Sequence, residues 1–299
     1  APSMLTLPSA FCTIESSLCA PGGRGYGSEE EDLYALGMTL LSFVIGKNPA
    51  SKFATEEEML QTRLSYGTYG AMAQSYRISL TLMEPLRGLL NDNVDDRWTL
   101  TDLSMWVDGR RLSPKQQVMP TKASRAFKFN GGEYGTAREV AYGLSRNWDM
   151  AMGAISDGSL DNWLRRSLSE EDVIEAVNMA KNVSSSTPEE EDRMVGRVLI
   201  SLAPERPVQI RDFSSTLDGL GQLLGLHAKE TDARRLFNQI MTAGLIPYWL
   251  EMQSKNKPEH LRIMAKLEKS KVLVKKNILG SGVERLVYEL NLGFPCMSP

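Results

Sequence analysis

The sequence contains few of the side chains that bind metals or act as nucleophiles. Its 299 residues include three cysteines, Cys12, Cys19 and Cys296, and two histidines, His227 and His260. Neither the cysteines nor the histidines have the spacing of a zinc site or of a hydrolase triad. We therefore interpret both histidines as surface or structural residues, and we predict neither a metal site nor a nucleophilic cysteine.

The chain also lacks a large excess of charge and any long apolar run. The formal net charge is -3, from 34 basic and 37 acidic residues, so we expect no nucleic-acid partner. No run of 18 apolar residues occurs, and the first residues do not resemble a secretion signal, so we predict no membrane span. Three cysteines without a disulfide pattern suit a reducing compartment, and we expect a cytoplasmic protein.

Helical patterns, by contrast, recur along most of the chain, and the predicted fold class is mainly α. The helix with the clearest end signals runs from Ser28 to Gly46. Ser28 and Glu31 have the spacing of a capping box, and Gly46 followed by Pro49 is a stop signal. Because apolar residues lie on nearly all sides of this helix, the pattern predicts that it is buried.

Two segments resemble a known family. Asp32-Leu-Tyr-Ala-Leu-Gly37 is similar to the central helix of the large lobe of Ser/Thr protein kinases, whose pattern is Asp, two residues, Ser or Ala, one residue, Gly. The stretch 89–97, which ends in Arg97 and precedes a helix opening at Thr99, resembles the closing segment of that lobe. Ala20-Pro21 stands where kinases have Ala-Pro-Glu.

The resemblance implies a kinase large-lobe-like helical subdomain over residues 1–110 that starts in the activation segment. The small lobe and the catalytic loop would then lie upstream of Ala1, although removal of an initiator Met would also explain the first residue. The resemblance gives structural roles to five residues: Asp32, Gly37, Arg97, Ala20 and Pro21.

The chain departs from the kinase pattern at Gly22, which occupies the Glu position. In kinases that Glu pairs with the arginine that Arg97 resembles. Arg97 must therefore find another acid, for which Glu15 is a candidate, face solvent, or remain a costly unpaired charge. The kinase aspartate that matches Asp32 is buried beneath the catalytic loop, which this chain does not contain.

The sequence predicts no catalysis and no cofactor within this chain. It contains no His-Arg-Asp, Asp-Phe-Gly or Val-Ala-Ile-Lys motif, and phosphoryl transfer needs those groups. ATP and Mg would bind only if an upstream lobe exists. We expect the C-terminal part of a bacterial pseudokinase-like signalling protein that acts as a regulatory or protein-interaction module. The alternatives are the C-terminal half of an active Ser/Thr kinase, or an unrelated helical adaptor with a chance match at residues 32–37.

The remaining residues divide into a linker and a second part. Residues 111–125 are polar and basic and predict an extended linker, although their cations could instead hold a phosphate-bearing partner. Residues 126–299 predict a helical accessory domain, an irregular α-helical bundle through which a protein partner would bind. In this part we expect Trp148 and Trp163 to anchor the core, and Phe127 and Phe129 to share one face of a short strand.

Overall fold

The computed structural model describes residues 7–25, 27–183, 185–220, 222–223, 239–240, 243–253 and 265. Over these residues the chain is mainly α, as predicted. The first part contains five α-helices: α1 (Ile14–Leu18), α2 (Glu29–Ile45), α3 (Glu56–Ala73), α4 (Leu80–Leu89) and α5 (Leu100–Val107). Short 3-10 turns lie at Ser9–Phe11, Pro21–Gly23 and Pro49–Lys52. Among the described residues, none belongs to a helix with both the length and the apolar character needed to cross a membrane.

The second part combines short helices with two hairpins. Its elements, in chain order, are β1 (Phe127–Phe129), β2 (Gly132–Tyr134), α6 (Ala137–Arg146), α7 (Trp148–Ser156), α8 (Ser159–Trp163), a π-helical turn (Leu164–Leu168), α9 (Glu171–Lys181), α10 (Pro188–Leu202), β3 (Val208–Ile210), β4 (Phe213–Ser215) and α11 (Leu245–Glu251). Helix α10 packs against α6, α7, α9 and α11. It is therefore the central helix of this part.

Helix α2 has the predicted ends but not the predicted burial. The Ser28 hydroxyl accepts a hydrogen bond from the Glu31 amide, the Glu31 carboxylate caps the Ser28 amide in return, and Gly46 ends the helix in the left-handed conformation. Only one side is buried, however. Phe43 is 81% exposed and Leu36 is 43% exposed, so the prediction of a helix buried on all sides is wrong. The neighbouring elements in the described chain do not cover enough of the surface of α2 to bury all of its apolar residues.

The two hairpins differ in how well the sequence predicts them. Strands β1 and β2 pair antiparallel with Phe127 opposite Tyr134, and Phe127 and Phe129 are both buried, as expected. The sequence pattern favours a helix over about 212–227 and does not predict the β3–β4 hairpin, so Phe213–Ser215 is a strand where a helix is expected. The helical pattern after Thr99 also predicts that Leu100 packs inward, but Leu100 is 56% exposed.

The linker lies against the first part over much of its length. It has no helix or strand, as predicted. The Gln117 side chain donates a hydrogen bond to the Asp92 carboxylate, the Asn91 side chain donates to the Lys115 carbonyl at 3.3 Å, and Lys115 pairs with Asp96 at 2.6 Å. These contacts fix the path of the linker.

The two parts also contact each other directly. Ile14, Leu60 and Leu64 from the first part form an apolar cluster with Tyr142 from α6. The largest core belongs to the second part and includes Trp148 and Trp163, which confirms their role as anchors. The division at residues 110 and 126 remains a prediction. The sequence also has helical patterns over 258–276 and 281–290, which lie outside the described residues, as do both histidines and Cys296.

Candidate functional site

The most unusual group of side chains in the first part is a tyrosine between two buried arginines, which we call the Tyr34 cluster (Tyr34, Arg63 and Arg97). Tyr34 and Arg63 are 0% exposed and Arg97 is 6% exposed. The guanidinium carbons of Arg63 and Arg97 lie 5.6 and 5.4 Å from the centre of the Tyr34 ring. Cations at this distance are attracted by the electron density of an aromatic ring. Burial raises the pKa of the Tyr34 hydroxyl, although the charge of Arg63 opposes this effect.

Arg63 holds together segments that are distant in the chain. Its guanidinium donates hydrogen bonds to the Tyr34 hydroxyl at 2.7 Å, the Cys12 carbonyl at 2.9 Å and the Thr68 hydroxyl at 3.2 Å. It also reaches the carbonyl of Ser9 at 3.4 Å. These neutral oxygens occupy most of the five donors of the guanidinium. Arg63 therefore joins the N-terminal segment, α2 and α3.

The hydrogen-bond partners of Arg97 are not the ones that the sequence suggested. It is buried, so it does not face solvent, and its donors bond to backbone carbonyls of Asn91 at 2.9 Å, Glu30 at 3.0 Å and Asp92 at 3.4 Å. The proposed partner Glu15 is close enough to interact through its charge. Burial raises the pKa of the Glu15 carboxyl, and the positive charge of Arg97 opposes that rise. Arg97 thus links the segment after α4 to the first turn of α2.

The other residues singled out from the sequence lie in different surroundings. Asp32 is exposed in the first turn of α2. Gly37 lies where a Cβ atom would come within 2.9 Å of both Leu89 and Leu90, so it permits close packing of α2 on α4. Of these residues, Arg97 therefore lies beside Tyr34 in the buried cluster, whereas Asp32 lies at the surface.

Ala20 and Pro21 belong to a turn that packs on the second part. The Ala20 amide donates to the Ser214 carbonyl at 3.1 Å, and the Thr216 amide donates to the Gly23 carbonyl at 2.9 Å. A Cβ atom on Gly23 would lie 2.3 Å from the Ser214 carbonyl oxygen. The glycines after Pro21 therefore permit close approach of two backbones.

Neither described cysteine has the surroundings of a nucleophile. Cys12 and Cys19 are both buried and free. Burial is the largest effect on each and raises the pKa of both thiols, which disfavours the reactive thiolate. Among the described residues, no group of three or more His, Cys, Asp or Glu side chains is arranged to hold a metal ion.

A surface groove of about 730 Å³ lies on the second part, and we call it the Arg125–Arg166 groove. The chain segment that leads into β1 forms one wall, and α8 with the π-helical turn forms the other. Its lining combines cations, neutral polar side chains and the edges of two aromatic rings: Ser124, Arg125, Lys128, Asn162, Arg166, Phe127 and Trp163. The mixture suits a small anion with an apolar attachment.

Sequence reasoning missed Tyr34 and Arg63 as partners. A signal for Arg63 was available, because this arginine lies between Leu60 and Leu64 on the inward side of α3. A cation at an inward-facing position of an amphipathic helix must find acceptors. The sequence could not identify those acceptors, since they are carbonyls brought close by the folding of the N-terminal segment.

Comparisons with known proteins give no relative. No family model matches the chain, and no curated protein or solved structure matches it significantly.

Proposed function

We propose that this chain is the C-terminal part of a protein-kinase-like signalling protein of the pseudokinase type, cytoplasmic and bacterial. In this proposal it acts as a regulatory or protein-interaction module and performs no phosphoryl transfer itself. The module would bind a protein partner through the helical second part.

The observation that carries the proposal is the position of Arg97. In the kinase large lobe, the arginine of the closing segment is tied by a Glu to the segment before the central helix. Here Gly22 replaces that Glu, and Arg97 instead reaches the Glu30 carbonyl in the first turn of α2. The closing segment is thus joined to the start of the central helix itself, rather than to the segment before it, and this contact supports a large-lobe origin for the first part.

The absence of catalytic motifs supports the second element of the proposal. A kinase needs a lysine on the phosphates, a base aspartate and a metal-binding aspartate. The 299 residues contain none of the motifs that carry them. The proposal therefore assigns to this chain a role in contacts with other proteins.

A second candidate is a helical adaptor unrelated to kinases, and α2 favours it. A chance match at residues 32–37 predicts an amphipathic helix with two different sides. The exposure of Asp32, Leu36 and Phe43 shows that one side of α2 lies at the surface, as a peripheral helix would. The contact between Arg97 and α2 argues against it.

The gene sequence upstream of Ala1 separates these candidates. Degenerate versions of the ATP-binding lobe and catalytic loop would support the pseudokinase proposal. An intact Lys, His-Arg-Asp and Asp-Phe-Gly set would favour an active Ser/Thr kinase, and an unrelated upstream sequence would favour the adaptor. As a direct check, this chain incubated with Mg·ATP and a generic acceptor protein should transfer no phosphate. Measurable transfer would overturn the proposal.

A further inference from the structure

The Arg125–Arg166 groove contains two cations that other described groups do not neutralise. Arg125 and Arg166 are both exposed. Neither guanidinium has a hydrogen bond or an ion pair with another residue in the described ranges. No carboxylate is among the described residues that line the groove. The groove is therefore a local site of positive charge on a chain whose net charge is negative.

Two further donors belong to the same groove. Lys128 pairs with Glu133 at 3.0 Å, but both side chains are more than half exposed, at 77% and 63%. An exposed ion pair of this kind contributes little free energy, so Lys128 can turn to a bound anion at small cost. The Asn162 amide is exposed at the edge of the groove and supplies a neutral donor.

The backbones that carry the two arginines are held together. The Trp163 indole donates a hydrogen bond to the Arg125 carbonyl at 2.7 Å, and the Ser124 amide donates to the Ser167 carbonyl at 2.9 Å. Trp163 is itself buried in the core. These two bonds fix the separation of the two walls, and a site whose parts are already in place loses less entropy on binding.

We propose that this groove binds the phosphoryl group of a phosphorylated serine or threonine side chain of a partner protein. A guanidinium donates two parallel hydrogen bonds to phosphate oxygens, and two arginines with a lysine match a group that carries nearly two negative charges. The edges of Phe127 and Trp163 offer apolar contact to the residues beside the phosphorylated one. A volume of about 730 Å³ accommodates such a segment.

The observations favour a peptide over nucleic acid or a membrane surface. A protein that binds DNA often makes about six to ten phosphate contacts, which are spread along a basic surface. This groove has three cations, and the chain as a whole carries a net charge of -3. The inference does not depend on a kinase origin for the first part, so the two proposals can fail separately.

Binding can be measured by NMR with the full chain. The probes are the heptapeptide Gly-Ala-Ala-pSer-Ala-Ala-Gly, its unphosphorylated form, and inorganic phosphate. We expect the phosphorylated peptide to shift the Trp163 indole resonance and to bind at least ten times more tightly than the unphosphorylated one. Inorganic phosphate should shift the same resonance with a weaker affinity, because it lacks the flanking contacts.

Matched variants separate the groove from general charge. The double variant Arg125→Gln with Arg166→Gln should weaken binding of the phosphorylated peptide at least tenfold. Arg165→Gln removes the same charge from the neighbouring position outside the groove lining, and it should change the affinity less than twofold. All these side chains are exposed, so thermal melts should stay unchanged and show that the variants fold.

Three results would overturn the proposal. The first is equal binding of the phosphorylated and unphosphorylated peptides. The second is an equal effect of Arg165→Gln and Arg166→Gln as single variants. The third is a shift of the Trp163 resonance by single-stranded RNA or by vesicles that contain a phosphoinositide, with no shift by the phosphorylated peptide.

Discussion

The Arg63 guanidinium donates a hydrogen bond of 2.7 Å to the Tyr34 hydroxyl, with both side chains fully excluded from solvent. This bond joins α3 to α2 at the centre of the first part. Arg63 also satisfies the Cys12 carbonyl, so its removal would leave several buried oxygens without donors.

The Arg63→Met variant should lower the free energy of unfolding by about 3 kcal/mol, because each unsatisfied buried acceptor costs about 1 to 3 kcal/mol. Arg87→Met is the matched control. Arg87 is exposed, and its guanidinium carbon lies 5.3 Å from the centre of the Tyr69 ring, so its removal should cost less than about 1 kcal/mol. Urea unfolding of both variants measures the difference. Equal losses would show that Arg63 is not the central tie we describe.

Arg97 and Asp32 should respond very differently to substitution, although the kinase resemblance gives both a structural role. Arg97→Met removes the donors for three carbonyls and should cost about 2 to 4 kcal/mol. Asp32→Asn changes an exposed side chain in the first helical turn and should cost about 0.3 to 1 kcal/mol through the helix dipole. Thermal melts measure both effects. A large loss for Asp32→Asn would restore the buried role that the resemblance implies.

Glu15 should make the protein less stable as the pH rises. Burial raises the pKa of its carboxyl above the ordinary value of 4.5, so the folded state binds this proton more tightly than the unfolded chain does. The stabilisation is complete below a pH of 4.5 and is lost as the pH rises through the folded pKa. Glu15→Gln should therefore match the natural protein at low pH and be more stable at pH 7.

Asp157 provides a control of opposite sign for that experiment. Hydrogen bonds from Ser159 lower the pKa of its carboxyl. The stabilisation that follows is present above the ordinary pKa of 3.8 and is lost as the pH falls through the folded value. Asp157→Asn should thus lose stability at neutral pH and match the natural protein in strong acid. Urea unfolding across the pH range measures both variants, and equal pH profiles for the two would contradict these assignments.

Two glycines test the close contact between the parts. Gly23→Ala would place a Cβ atom 2.3 Å from the Ser214 carbonyl oxygen, so two backbones must separate, and we expect a loss of about 1 to 3 kcal/mol. Gly153 lies in α7, and apart from its chain neighbours and its own helix backbone no atom of the described residues comes within 4 Å of its Cβ position. Gly153→Ala should instead stabilise the protein by up to about 1 kcal/mol. Differential scanning calorimetry shows both effects. Equal melting temperatures for the two variants would contradict the close contact that we describe at Gly23.

Local signals explain most of what the sequence predicts correctly. The capping boxes that open α2 and α5, and the alternation of Phe127 and Phe129, depend on residues within a few positions of each other. The positions of these elements are confirmed for that reason. Such signals predict where a helix or strand begins and ends, but they do not predict which distant residues come into contact.

The errors come from contacts between distant residues. Strand β4 pairs locally with β3, but its backbone also lies against the turn after Pro21, and Ser214 is 194 positions from Ala20, while its sequence alone suits the start of a helix. Burial of α2 depends on how many neighbours surround it, which the apolar pattern cannot show. The carbonyl partners of Arg97 cannot be predicted from the sequence either, because every residue has a backbone carbonyl and no residue type marks the ones that accept from Arg97.

The bond between Ala20 and Ser214 spans 194 positions. During synthesis at about 5 to 20 residues per second, the turn at Ala20 must wait roughly 10 to 40 seconds for the strand on which it packs. Until that strand is made, the Gly23 turn lacks its contact with Ser214. Formation of this contact is thus a delayed step that joins two segments made far apart in time.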